Sequence, residues 1–306
     1  MSVVPEAEKL RRMPTAELLA AALAVKLERR KTAFSFCSII NAKSGRCSED
    51  CRYCVQSGHY RTEAPIYPLK STEEVVAAAR VAKADGAARF SLVTSGRGLP
   101  VAEVEPVAAA IAAVREQVGI KVCGSFGILD HATLARLKAA GMSRYHHNLE
   151  TSERFFPQVT TTHTFADRIA TIRAAQAAGL EVCAGGIFGL GEEEEDRLSM
   201  ATTLAELEVD SVPLNILIPL PGTPLEGTSP LPIREILRGI AYCRLLLPRV
   251  CVRLAGGREA ALDDFLAAAF MAGADGMMIG GYLTQRGRTP AADREFARQM
   301  VALWSD

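Results

Sequence analysis

Eight short β-rich runs, each followed by a longer helical stretch, constrain this 306-residue chain more than any other feature. They are FSFCSII (34–40), ARFSLVT (88–94), IKVCGSFG (120–127), SRYHHNL (143–149), LEVCAGGIFGL (180–190), SVPLNILIPL (211–220), RVCVRLAGG (249–257) and DGMMIGG (275–281). Eight strand–helix units over this length predict an α/β fold, a (β/α)₈ barrel of the TIM type. An open, doubly wound sheet is the alternative. Between the runs, STEEVVAAARVAKADG carries a capping box, Ser71 with Glu74, and a closing Gly86. DHATLARLKAAG and FADRIATIRAAQAAG repeat the pattern with a glycine past each end. Ahead of the first strand, PTAELLAAALAVKLERRK has helical apolar spacing, so an N-terminal helix is expected over about residues 1–31. The barrel then runs from about 34 to 306, with the proline-rich stretch 218–235 as one long loop and the whole chain as a single domain.

Composition narrows the function. Apolar residues make up 49% of the chain, ample for a large core, and 35 basic residues balance 35 acidic ones. That balance argues against a polyanion-binding surface. No run of apolar residues is long enough to span a membrane and no secretory leader is apparent, so a cytoplasmic protein is expected. In that setting the eight cysteines are read as reduced thiols for metal or cluster binding rather than as disulfides.

A barrel gathers chemistry inside its top and just past the C-terminal ends of its strands. Cys37, Cys123, Cys183, Asn215 and Arg253 fall within the strands, and Cys47, Cys51 and Cys54 lie in the loop after the first. The loop spacing is C-x₃-C-x₂-C. Structural zinc wants four ligands, usually as two close pairs, and no partner pair lies nearby. Three thiolates suit an iron–sulfur cube, holding three irons and leaving the fourth open to a cofactor. Zinc and reactive thiols are the alternatives.

With Tyr53 before the last cysteine, this loop resembles that of the radical S-adenosylmethionine enzymes. The resemblance implies a 4Fe-4S cluster on Cys47, Cys51 and Cys54 whose open iron takes the methionine moiety of S-adenosyl-L-methionine. It continues through SIINAKSGRCSEDCRYCVQS, YHHNLETS, VCAGGIFGLGE, VPLNILIPLPGTPL and VRLAGGRE, over roughly residues 34–285, and is specific to the biotin synthase family. Membership implies sulfur insertion into dethiobiotin, with an auxiliary iron–sulfur cluster as sulfur donor, an electron-donor protein and a homodimer.

In familiar members three cysteines and an arginine hold the auxiliary cluster. Cys123, Cys183 and Arg253 match three of these positions, but Ser91 stands where the remaining cysteine is expected. Cys37, matching a serine close to the cluster, is the compensating candidate, and the cluster is then 2Fe-2S or a variant of it. The likeness assigns Tyr53, Asn148, Glu150 and Arg168 to the cofactor, and His146, Asn215, Thr284 and Gln285 to the substrate. Cys243 reads as helix packing, His147 as a core or strand-end histidine, and Cys251 as packing on the face that carries Arg253. Two rival functions stay open: another radical enzyme of this barrel type, such as a maturase or mutase, and a zinc-binding scaffold without catalysis.

Overall fold

The computed structural model describes residues 3–281 and 287–305. Among the described residues nine short strands, all parallel, form the wall: β1 (Ser35–Lys43), β2 (Arg89–Thr94), β3 (Lys121–Ser125), β4 (Met142–His146), β5 (Glu181–Cys183), β6 (Gly186–Phe188), β7 (Ser211–Ile216), β8 (Cys251–Leu254) and β9 (Gly276–Met278). Both β5 and β6 pair with β7, so they are two halves of one barrel strand, interrupted at Ala184 and Gly185. β1 pairs with β2 on one side and β9 on the other, which closes an eight-strand ring. The alternating pattern of the sequence is thus realised as the expected barrel. The doubly wound alternative falls because β9 returns to β1.

Helices cover the outside. After the loop 44–71 comes α3 (Thr72–Ala84), whose first turn carries the expected reciprocal capping of Ser71 and Glu74. Such a box satisfies two amide groups that a helix start leaves open. Gly86, just past its end, sits at φ +97°, a conformation that costs a residue with a Cβ. Around the ring follow α4 (Val101–Val118), α5 (His131–Ala139), α6 (Phe165–Ala177), α7 (Glu194–Glu206) and α8 (Ile233–Leu246), then α9 (Arg258–Leu262), α10 (Leu266–Met271) and α11 (Pro290–Leu303). Their buried leucine, isoleucine and alanine faces pack on the outward side chains of the strands to make one core.

The N-terminal extension differs from the single helix expected. It is two helices, α1 (Val3–Arg12) and α2 (Thr15–Arg30), split at Met13–Pro14. Proline disfavours helical geometry in the residue before it, which accounts for the break. α2 packs against α8 and α10, and Lys26 of α2 lies over the Trp304 ring beyond α11. Phe34, Phe270 and Trp304 cluster there, with Phe34 stacked on Phe270 at 4.9 Å. The two chain ends therefore meet beneath the N-terminal ends of the strands, leaving the opposite mouth to the loops.

Candidate active site

Cys47, Cys51 and Cys54 all line one recess of about 180 Å³ in the barrel mouth. Their loop is pinned by the two acids it contains. Asp50 accepts the backbone amides of Thr161 and Thr162 at 2.8 and 3.2 Å and the Thr160 hydroxyl at 2.6 Å. Burial alone would raise its pKa, but these donors hold the carboxyl well below the ordinary range. Glu49 meets His163 Nδ1 at 2.6 Å and the Thr162 hydroxyl at 2.9 Å. The cysteine loop is thereby fastened to the segment after β4. Burial pushes the Cys51 thiol up to about 12 and Cys54 to about 11, so both are neutral at pH 7 until a metal displaces the proton.

The residues just beyond β4 form one buried network on the other wall of the recess. Glu150 accepts from the Tyr53 hydroxyl at 3.0 Å and from Asn148 Nδ2 at 3.2 Å. Arg168, on α6, donates to the Asn148 carbonyl at 2.9 Å and stands 3.7 Å from Glu150. Glu150 itself is at φ +68°, a left-handed conformation that costs a non-glycine residue about 1–3 kcal/mol. Its backbone is held from both sides, its amide reaching the Gly185 carbonyl and its carbonyl accepting from Ile187.

Gly185 and Gly186 make that arrangement possible. A Cβ on Gly185 would lie 1.9 Å from the Pro213 carbonyl oxygen, and one on Gly186 2.4 Å from that of Glu150. In the structure they serve close approach of neighbouring strands, which is what turns Glu150 into the mouth.

Below the recess, sharing with it Cys54, Ser125, His146, Asn148 and Glu150, lies a second cavity of about 230 Å³. Cys37, Ser91, Cys123, Cys183 and Arg253 all line it. Alternation along each strand explains the gathering, since Cys37 and Ile39 of β1, or Arg89, Ser91 and Val93 of β2, point to the same side. Burial pushes Cys123 up to about 11 against the pull of Arg89 and Arg144, and raises Cys37 against that of Arg253. For Arg253 burial acts to lower the pKa, yet the thiols of Cys251, Cys37 and Cys183 outweigh it and raise the value. Its guanidinium is fixed by the Ser35 carbonyl at 3.1 Å and hydroxyl at 2.9 Å.

The remaining sequence candidates divide. His146 lines both cavities, and burial drops its pKa to about 4, leaving a neutral ring. Asn215 lines the lower cavity, but its amide is already paired, donating to the Gly186 carbonyl at 3.3 Å and accepting from the Gly256 amide at 2.9 Å. Thr284 and Gln285 lie outside the described residues. Cys251 does not line the cavity; its sulfur is 3.5 Å from Arg253 and from Ser35. Cys243 is buried in α8, as expected of a packing residue, and His147 is buried with Nε2 unpartnered among the described residues. Arg89 and Arg144 were missed. Each sits two residues before a flagged position, Ser91 and His146, and the same alternation marks them.

All eight cysteines are free thiols. Among the described residues no three Cys, His, Asp or Glu side chains converge on a point that one metal ion would fill. Donors spread around a recess suit a cluster several ångströms across, and soft thiols suit iron and sulfide. The residues present fit the groups that the loop spacing implies.

Residues 42–204 match the Radical SAM superfamily and residues 213–300 the Biotin and Thiamin Synthesis associated domain. The fold is shared with methylornithine synthase, at a TM-score of 0.82 and 20% identity over 97% of this chain and 92% of that one. It is shared equally with the FeFe-hydrogenase maturase HydG of Carboxydothermus hydrogenoformans, at 0.82 and 20% over 98% and 74%. Fold and site define a radical S-adenosylmethionine barrel, a class that holds a 4Fe-4S cluster and S-adenosylmethionine. Biotin synthase of Heliobacterium modesticaldum is 54% identical over 86% of this chain and 81% of its own length. That of Pelotomaculum thermopropionicum is 51% identical over 94% and 88%. The chain belongs to the biotin synthase family.

Proposed function

We propose that this chain converts dethiobiotin to biotin by radical insertion of one sulfur atom, as a single barrel domain preceded by its helical extension. When bound, the loop cluster with S-adenosylmethionine supplies the radical that removes substrate hydrogen, and the auxiliary cluster supplies the sulfur. Cys47, Cys51 and Cys54 hold the first cluster. Asn148 and Glu150 take the ribose diol, for which a carboxylate is a sound bidentate acceptor. Tyr53 braces Glu150, and Arg168 stands by the methionine carboxylate. Cys37, Cys123, Cys183 and Arg253 hold the auxiliary cluster, Cys37 standing in for the thiol that Ser91 lacks. His146, uncharged, and Asn215, which keeps one amide N–H beyond its backbone bonds, face the ureido ring, with Thr284 and Gln285 toward the substrate's carboxylate end.

The observation that carries this reading is the stacking of two thiol sets in one barrel, three in the mouth and three below, with five residues common to both cavities. Radical generation and sulfur delivery are then separated only by the space a small substrate fills. Among the described residues no helix is long and apolar enough to cross a membrane; the chain is read as a cytoplasmic enzyme served by an electron-donor protein. A homodimer follows from family likeness. The test is an anaerobic assay with dethiobiotin, S-adenosylmethionine and a reductant, scored for biotin and 5′-deoxyadenosine together. Both products are expected; deoxyadenosine without biotin would retain the radical class and discard the substrate.

A further inference from the structure

The lower cavity holds more positive charge than a three-cysteine, one-arginine site requires. Arg89 and Arg144, from β2 and β4, line it alongside Arg253. Both reach down to a single oxygen of Glu181 on β5, at 2.6 and 2.7 Å. The two arginine side chains are 12% exposed, whereas Glu181 is 42% exposed. The carboxylate therefore lies on the solvent side and the guanidiniums on the thiol side. Arg89 Nη1 is 3.9 Å from the Cys123 sulfur and 3.0 Å from the Ser143 hydroxyl. Arg144 stacks a second donation, from Nε at 2.9 Å, onto the same Glu181 oxygen. Register places Arg144 beside Cys123 on one side and beside Glu181 on the other.

A triad meant only to tie three strands together has no need to aim guanidiniums at thiols. An iron–sulfur cluster on three thiolates has use for them, because N–H donors and positive charge beside its sulfurs stabilise the reduced form and keep water away. We infer that Glu181, Arg89 and Arg144 form a cationic floor to the auxiliary cluster, with Glu181 as a positioning residue that holds both guanidiniums against the Cys123 and Cys183 side. This rests on the reading that Cys37, Cys123 and Cys183 carry a cluster. Glu181 acts through the arginines and touches neither sulfur nor substrate. The floor also separates the sulfur donor from solvent at the closed end of the barrel, so that the donor is reached from the substrate side.

The test uses the full chain, reconstituted anaerobically with iron and sulfide, as parent protein and as Arg144→Met, Glu181→Ala and Arg144→Lys. Redox titration followed by visible absorbance and electron paramagnetic resonance separates the two clusters. In Arg144→Met and Glu181→Ala the auxiliary midpoint is expected to move to more negative potential, and chelator to strip that cluster several-fold faster. The loop cluster keeps its midpoint. Lysine at 144 restores charge without the planar fork, so it recovers part of the shift. If the parent holds a second cluster and all three variants share its midpoint and lifetime, the floor has no such role. A parent that binds iron and sulfide for the loop cluster alone overturns the auxiliary-cluster reading and this inference with it. Should Arg144→Met not fold, Arg144→Lys and Glu181→Ala decide the matter by the same two readouts.

Discussion

The phenol of Tyr53 donates to Oε1 of Glu150 across 3.0 Å, joining the cysteine loop to the residue that turns out of β4 into the mouth. Glu150 holds its left-handed backbone only because strand neighbours grip both its amide and its carbonyl. The phenol fixes the remaining freedom, that of the side chain. Tyr53→Phe should keep the cluster and the fold but weaken S-adenosylmethionine binding by about tenfold, the size of one lost hydrogen bond to a charged group. Titration of the cofactor into the reconstituted protein, followed by the change in the cluster's resonance signal, measures it.

Cys37 and Ser91 both line the lower cavity, and the proposed function gives the third thiolate to Cys37. If Cys37 supplies the third thiolate, Cys37→Ser should remove the auxiliary iron and sulfide and leave the loop cluster intact. Adding Ser91→Cys to that variant should restore a second cluster. Iron and sulfide counts per chain check both steps, and an unchanged count in Cys37→Ser would take Cys37 out of the site.

The barrel was legible because its signal is periodic. Eight β-rich runs, capped helices and glycine stops each repeat, and every run overlaps an observed strand. The cysteines were legible because thiols at close spacing have few other uses. What could not be read was pairing across distance. The floor formed by Arg89, Arg144 and Glu181 spans 92 positions of sequence, and nothing local in any of the three strands announces it. The partners of Asn215 were hidden for a related reason. A polar residue in an apolar strand needs partners, but the sequence does not say that the interrupted strand leaves the Gly186 carbonyl free to be one. Pro14 was in view, yet the apolar periodicity around it concealed the break between α1 and α2.

Gly185 offers a test of the backbone crossing. The Cβ added by Gly185→Ala would sit 1.9 Å from the Pro213 carbonyl oxygen and 2.8 Å from its carbon, neither of which can swing aside. Overpacking against fixed backbone costs about 1–3 kcal/mol, and any relief must come from separating β5 and β6 from β7. That movement carries Glu150 with it, since the Glu150 amide bonds the Gly185 carbonyl. Thermal unfolding should shift down by several degrees. Cofactor affinity should fall while iron binding by the mouth cysteines persists.

Lys26 makes a prediction about stability alone, far from the chemistry. Its side chain is fully buried beneath the barrel, with the ammonium over the Trp304 ring and bonded to the Lys31 carbonyl at 2.7 Å. Arg30, Arg244 and Asp275 are its charged neighbours, two cations against one carboxylate. Burial pushes its pKa down from the ordinary 10.5 to about 7, with the two arginines adding to the shift and Asp275 opposing it. Below about pH 7 the folded and unfolded chains both bind the lysine's proton, and its own contribution is flat. Above it the unfolded chain still binds a proton that the fold releases, so stability rises with pH until the ordinary lysine value is reached. The buried thiols work in the other direction. Cys51 and Cys54 are raised above their ordinary 9.0, so the stability they contribute is complete below that value and declines above it. Burial also lowers His146, His147 and His163, whose contribution is nearly complete by about pH 7.5, so the lysine dominates between about pH 7.5 and pH 8, before the buried thiols weigh in. The metal-free chain should become more resistant to denaturant across that window, and Lys26→Met, which keeps the stem against Trp304 and removes the titrating group, should flatten the rise.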